Sequence, residues 1–156
     1  RDLGAPMSPF NAFMFLQGLE TLPLRMERHC ANALRVAAWL SQHPRITSVI
    51  HPSLAEGEAA RRAEAHLKGG MGSLLGFEME GRKEAGQAFI EKLKLLYHVA
   101  NIGDARSLAI HPASTTHSQL DEAALAAAGV TPGYIRLSIG IEHIDDILAD
   151  LEQALA

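Results

Sequence analysis

The sequence predicts an α/β fold of the α+β type: a small, largely antiparallel sheet with helices on one face, entered through long linking helices. Three observations predict it. Five short runs carry the period-two alternation or the β-branched enrichment of strands. Helical periodicities lie between them and ahead of them. The connections between strands are short, which favours antiparallel pairing with helices on one side. The 156 residues are enough for one domain with a substantial core.

In chain order, Ser8-Pro9 starts a helix, with Ser8 as cap and Pro9 at the first helical position. Phe10, Phe13, Met14 and Leu16 make it more apolar than a solvated surface helix requires, so it is expected to self-associate or pack against a neighbour. Gly18 and Pro23 interrupt it. A second helix follows over 24–40, with Met26, Cys30, Ala33, Ala37 and Leu40 on its apolar stripe and Arg25, Arg28, Asn32 and Arg35 away from it. Cys30 reads as a small core residue. Pro44 closes this segment.

Residues 46–50 form a β-branched strand ended by His51-Pro52, and a short charged helix covers 58–66. Gly69-Gly70-Met71-Gly72 precedes a strand and lacks a P-loop lysine, so it reads as a connection and not as a phosphate cradle. Residues 73–80 alternate as a second strand. Residues 82–96 form an amphipathic helix through Ala85, Phe89, Leu93 and Leu96. Two further strands, 97–102 and 107–110, are joined through Gly103-Asp104 and lead into the polar loop 111–117. Asp121 caps an alanine-rich helix over 122–128, which Gly129 ends.

The strand over 134–141 organises the rest. Ile135, Leu137, Ile139 and Ile141 point to one face and supply a core, while Tyr134, Arg136, Ser138 and Gly140 point to the other. There a guanidinium stands between a phenol and a hydroxyl, with Gly140 leaving space beyond it. A rigidly held five-donor fork suits a carboxylate or phosphate; taken alone, the strand equally allows an arginine on a solvated face. The final helix starts near His143. Asp145 and Asp146 complement its dipole, and Ile144, Ile147, Leu148, Leu151 and Leu155 form its buried stripe.

Composition excludes several classes. A formal charge of -4 gives no electrostatic reason to expect nucleic acid. No apolar run reaches the ~20 residues of a membrane-spanning helix. The single cysteine, Cys30, rules out an internal disulfide and fits a reducing compartment. None of the eight histidines has the helical pair spacing of a zincin, and no Cys-x-x-Cys occurs, so no metal is expected. Ser114 and Ser138 lie outside any nucleophile elbow. The opening Arg1-Asp2-Leu3-Gly4, without an initiator methionine or a leader segment, gives the expectation of a piece of a longer protein.

The run Asn101-Ile102-Gly103-Asp104-Ala105-Arg106-Ser107-Leu108-Ala109-Ile110-His111-Pro112-Ala113-Ser114-Thr115-Thr116-His117 resembles the C-terminal domain of the Cys/Met-metabolism family of pyridoxal-phosphate (PLP) enzymes, of fold type I. Gly129-Val130-Thr131-Pro132, the stretch from Ile135 through Arg136-Leu137-Ser138-Ile139-Gly140 to Asp146, and Ser8-Pro9-Phe10-Asn11-Ala12 match it as well. So does the entry run from Gly18 to Met26. Within the family the chain most resembles O-acetylhomoserine sulfhydrylases, with Asn101 and Thr115 where several relatives use serine and methionine.

The resemblance implies that Arg136 binds the α-carboxylate of the amino-acid substrate. It puts Asn101 beside the same carboxylate and the cofactor's lysine, and Thr116 close to that pocket. Ser114 and Thr115 remain loop architecture. Residues 1–44 would then be a linking helical segment and 45–156 the small C-terminal domain. The cofactor-binding N-terminal domain, which carries the Schiff-base lysine in a Ser-x-Thr-Lys context, is absent from this chain. Lys68, Lys83, Lys92 and Lys94 all sit in polar loops or on solvated helix faces, so no catalytic residue and no bound cofactor are expected in this piece alone. The implied reaction of the full protein replaces the acetate of O-acetyl-L-homoserine by sulfide or a thiol, in a cytoplasmic homotetramer. Cystathionine γ-synthase and methionine γ-lyase activities are the alternatives within the class. Outside it stands a free-standing ligand-binding or dimerisation module.

Overall fold

The computed structural model describes residues 4–156, with backbone only for Arg82 and Glu122; the opening Arg1-Asp2-Leu3 lies outside them. Helix α1 (Pro9–Glu20) begins as expected, with Ser8 Oγ accepting from the Asn11 amide at 3.2 Å. It runs through Gly18 and is separated from α2 (Leu22–Leu40) by Thr21 alone. Arg25 braces this junction by donating to the Gly18 carbonyl at 2.5 Å. No residue of α1 is buried, and Phe10, Phe13, Met14, Phe15, Leu16 and Leu19 all lie exposed on it.

The sheet has the order β1-β2-β5-β4-β3, built from β1 (Ile46–Ile50), β2 (Leu74–Met79), β3 (Tyr97–His98), β4 (Leu108–Ile110) and β5 (Tyr134–Ser138). Three of the four pairings are antiparallel; β3 and β4 are parallel. The strand read over 97–102 stops at His98, and residues 99–107 loop back to start β4 in the same direction. The strand read over 134–141 ends at Ser138; beyond it the Ile139 amide still donates to the Ser73 carbonyl and the Ile141 amide turns to the Ala105 carbonyl, each at 2.9 Å.

Period two does the sorting. Leu75, Phe77 and Met79 of β2 and Ile135 and Leu137 of β5, followed by Ile139, face α2, α4 (Arg82–Lys92) and α6 (Ile144–Leu155) in one continuous core. Phe77 and Phe89 meet edge to face with ring centroids 5.5 Å apart. The remaining helices, α3 (Gly57–His66) and α5 (Glu122–Ala127), lie outside this layer. Leu125 of α5 packs instead with Ala113 and Val130 in a small second cluster.

Two helical expectations change. Helix α4 ends at Lys92 and not at residue 96, because after Leu93 the buried Asp150 carboxylate of α6 takes the amides of residues 94–96. Lys94 donates to Oδ1 at 2.9 Å, and Leu95 and Leu96 donate to Oδ2 at 2.8 and 3.0 Å. A charged acceptor satisfying three donors outcompetes one more helical turn. In α2 the buried stripe is His29, Asn32, Ala33, Val36, Ala37 and Leu40; Met26 is exposed and Cys30 half-buried. Asn32, read as solvated, is therefore a buried residue. Among the described residues no helix is long and apolar enough to cross a membrane.

Candidate functional site

Arg136 is the middle residue of the central strand, paired across the sheet with Gly76 on β2 and with Ile110 on β4. It projects from the face opposite the helices and is half-buried. Its Nη2 donates to the Asn101 carbonyl at 3.3 Å, and among the described residues it forms no ion pair. A guanidinium has five N–H donors, so one peptide oxygen leaves most of the fork available.

Tyr134 lies two residues along the same face. A Cβ at Gly76 would come within 2.6 Å of the Tyr134 Cζ and closer still to its hydroxyl, so the phenol ring covers the gap that Gly76 leaves opposite Arg136. Burial raises the Tyr134 pKa above 10.0; the Arg136 charge pulls it down and Glu78 pushes it up. The phenol is therefore a neutral donor at physiological pH, beside a fixed positive charge.

The two other groups expected on this face are used internally. Ser138 is buried, 2% exposed, beneath the loop whose Gly103 amide donates to its Oγ at 3.2 Å, so its hydroxyl is not open to solvent on this face. Gly140 leaves no free space either: a Cβ there would meet the Ala105 carbonyl oxygen and the Arg106 carbonyl carbon, each at 2.5 Å, and the Glu142 carboxylate. The chain itself fills that position, because the loop before β4 crosses directly over it.

Asn101 sits on this loop, exposed, and meets Arg136 through its main chain; its side-chain amide has no hydrogen-bond partner among the described residues. Thr116 is exposed in the loop after β4, and its Oγ1 shares a 2.8 Å hydrogen bond with His117 Nδ1. The structure thus brings Asn101 to Arg136, while the Thr116 side chain bonds His117 and neither of them. That loop is held from beneath by His111, fully buried, whose Nε2 donates to the Pro132 carbonyl at 2.7 Å and whose Nδ1 lies 2.8 Å from Ser114 Oγ. Thr115 Oγ1 donates to the His111 carbonyl at 2.8 Å, in keeping with an architectural role.

Sequence reasoning missed Ser107, Glu142, Asn32 and His29. The Ser107 amide and hydroxyl donate to the two oxygens of Glu142 at 2.6 and 2.9 Å, and Ser107 Oγ accepts from the Gly140 amide at 2.8 Å. Asn32 Nδ2 donates to the Gly140 and Glu142 carbonyls at 3.0 and 2.9 Å, and His29 Nδ1 donates to the Ile139 carbonyl at 2.6 Å. One signal was available: positions 29, 32, 33, 36 and 40 form an unbroken helical stripe, disguised by its two polar members. The Glu142–Ser107 contact had none, since it joins residues 35 apart in the chain.

All four lysines, Lys68, Lys83, Lys92 and Lys94, are exposed. Among the described residues no group of three or more His, Cys, Asp or Glu side chains could hold a metal ion.

Residues 1–156 match the family described as Cys/Met metabolism PLP-dependent enzyme. The chain is 56% identical to the O-acetyl-L-homoserine sulfhydrylase of Leptospira meyeri, covering 99% of this chain and 35% of that protein. It is 49% identical to O-acetyl-L-homoserine sulfhydrylase 1 of Thermus thermophilus, covering 100% and 37%. The crystal structure of a putative O-acetylhomoserine (thiol)-lyase from Campylobacter jejuni, which carries a pyridoxyl-lysine monophosphate, superposes with a TM-score of 0.87 at 46% identity. There 99% of this chain is covered and 37% of that one. The chain thus spans little more than a third of the length of the relatives it matches. On this evidence the chain belongs to the Cys/Met metabolism family of PLP-dependent enzymes.

Proposed function

We propose that this chain is the C-terminal, substrate-carboxylate-binding part of a PLP-dependent O-acetylhomoserine sulfhydrylase. In this reading residues 1–44 link to the cofactor-bearing part and residues 45–156 form the small domain. The reaction replaces the acetate of O-acetyl-L-homoserine by sulfide or a thiol. One observation carries the reading: Arg136 stands on the central strand of a rigid sheet, half-buried, with a single peptide oxygen as its partner. Two parallel N–H···O bonds from such a fork hold a carboxylate in one orientation, and partial exclusion of water strengthens them. Tyr134 walls one side of the guanidinium and the loop bearing Asn101 the other; Thr116 completes the pocket in the same reading.

PLP, when bound, supplies the electron sink for chemistry at the amino acid's carbons. The residues of this chain do not fit the cofactor's attachment, because every lysine is exposed and none has the desolvated setting a nucleophilic lysine requires. This chain's contribution is to orient substrate, with attachment left to the remaining two-thirds of the protein. The exposed apolar helix α1 is a surface for that part, or for a second subunit of a cytoplasmic homo-oligomer, to cover.

The test is Arg136→Ala in the full-length protein. KM for O-acetylhomoserine should rise about 100-fold, as expected for a lost charge-assisted pair, while the absorption spectrum of the bound cofactor stays unchanged. An unaltered KM removes the role assigned to Arg136.

A further inference from the structure

We infer that Glu142 is a positioning residue: its carboxylate, acting through Ser107, fixes the loop 101–106 against Arg136 and so sets the affinity for the substrate carboxylate. The inference rests on the carboxylate-binding role proposed for Arg136. It assigns the preorganisation of that arginine to a group outside the pocket.

The argument follows the hydrogen bonds outward from the guanidinium. The acceptor of Arg136 Nη2 is the Asn101 carbonyl, so the loop's main chain helps to decide where the fork points. That loop has no strand structure of its own, since β3 ends at His98 and β4 begins at Leu108. Its position is set by three ties to the β5 side. The Gly103 amide donates to Ser138 Oγ at 3.2 Å, and the Ile141 amide donates to the Ala105 carbonyl at 2.9 Å. At the loop's end, both carboxylate oxygens of Glu142 receive Ser107, through its amide at 2.6 Å and its hydroxyl at 2.9 Å.

The third tie carries charge and is bidentate, which makes it the strongest of the three. It also reaches further. Ser107 Oγ passes the constraint to the Gly140 amide, and Asn32 of α2 holds the Gly140 and Glu142 carbonyls from the other side. The absence of a side chain at Gly140 lets the Ala105–Arg106 peptide lie directly on the strand extension. A polar network with its members satisfied, buried at Ser107 and Asn32 and half-buried at Glu142, rigidifies what it joins. Here it joins the core helix α2, the extension of β5 and the loop whose carbonyl contacts Arg136. Without the carboxylate, Ser107 loses two acceptors at once, and only neutral ties remain: Gly103 to Ser138, Ile141 to Ala105, and the Gly140 amide to Ser107 Oγ.

The experiment uses the full-length protein with its cofactor bound and measures KM and kcat for O-acetylhomoserine in Glu142→Ala, Glu142→Gln and Ser107→Ala. Glu142→Ala should raise KM about tenfold, less than the loss of the fork itself because Arg136 keeps its charge and only its placement is relaxed, with kcat and the cofactor spectrum unchanged. Glu142→Gln keeps an acceptor for the Ser107 amide and should recover most of that loss. Ser107→Ala, which removes only the hydroxyl, should fall between the two and serves if the alanine variant at 142 does not fold. In an Arg136→Ala background Glu142→Ala should have no further effect on KM, because the group it positions is gone. If Arg136→Ala raises KM but none of the three variants does, the positioning role is overturned and the carboxylate site stands. A further tenfold rise in the Arg136→Ala background also overturns it, since Glu142 would then act elsewhere. If Arg136→Ala itself leaves KM unchanged, both readings fall.

Discussion

The two faces of β5 are built from alternate residues of one strand and differ in how they are completed. The face of Ile135, Leu137 and Ile139 is closed by this chain: all three are fully buried against α2, α4 and α6. The face of Tyr134, Arg136 and Ser138 is held by a few polar contacts, and its arginine is left with one peptide oxygen. Apolar burial depends on area and is satisfied by any well-packed neighbour. A guanidinium needs oxygens in a fixed geometry, which the described residues supply only once. Stability therefore resides on one face and the binding proposed for Arg136 on the other, with Glu142, Ser107 and Asn32 tying the second to the first.

The sharpest way to break this comparison is to alter adjacent residues of the strand. Leu137→Ala should cost about 2–5 kcal/mol of stability through lost transfer energy and a residual cavity. Arg136→Ala should stay within about 0.5 kcal/mol of the parent in urea unfolding, being half exposed and without an ion pair among the described residues. Similar losses for the two would mean that the open face also carries stability. Asp150→Ala comes next. It strands the amides of Lys94, Leu95 and Leu96 next to the core and should cost about 3 kcal/mol. Hydrogen exchange at those three amides should rise well above that of α6 around it.

Gly140→Ala tests the tie between the faces. The added methyl meets backbone atoms at 2.5 Å, which cannot move aside as a side-chain tip could, so a cost of about 1–3 kcal/mol is expected. The same variant should raise KM for O-acetylhomoserine in the full-length protein by shifting the loop before β4. A destabilised variant with wild-type KM would separate the loop from the site.

The smallest effect concerns His51, which is buried after β1 with its Nδ1 accepting from the Ser53 amide at 3.2 Å. Burial lowers its pKa below 6.5, an effect that the nearby Gly72 backbone partly offsets. A depressed folded-state pKa means that the neutral ring contributes stability present above pH 6.5. That stability is lost as pH falls through the folded value, because the unfolded state binds the proton more readily. Urea midpoints should accordingly fall on acidification below pH 6.5, and His51→Gln should flatten that slope. An unchanged slope in His51→Gln would assign the acid sensitivity to other groups.

The sequence by itself determined the elements and the sides of the sheet. Ser8-Pro9, Asp121 and the alternation read over 134–141 carry their geometry locally, in caps and in a period of two; both caps appear where they were read, and the strand starts at Tyr134 but ends at Ser138. Arg136 was legible as the outward residue of a half-buried strand, and family resemblance brought Asn101 and Thr116 to attention. What only the tertiary structure decided lies where distant residues compete for one polar group. Asp150 ends α4 four residues early, Ser138 and Gly140 are consumed by the loop before β4, and Asn32 turns inward to two carbonyls more than 100 residues away. Local periodicity ranks positions by hydrophobicity and cannot see an acceptor that arrives from another element. The Glu142–Ser107 tie beside the open face of Arg136 is of that second kind.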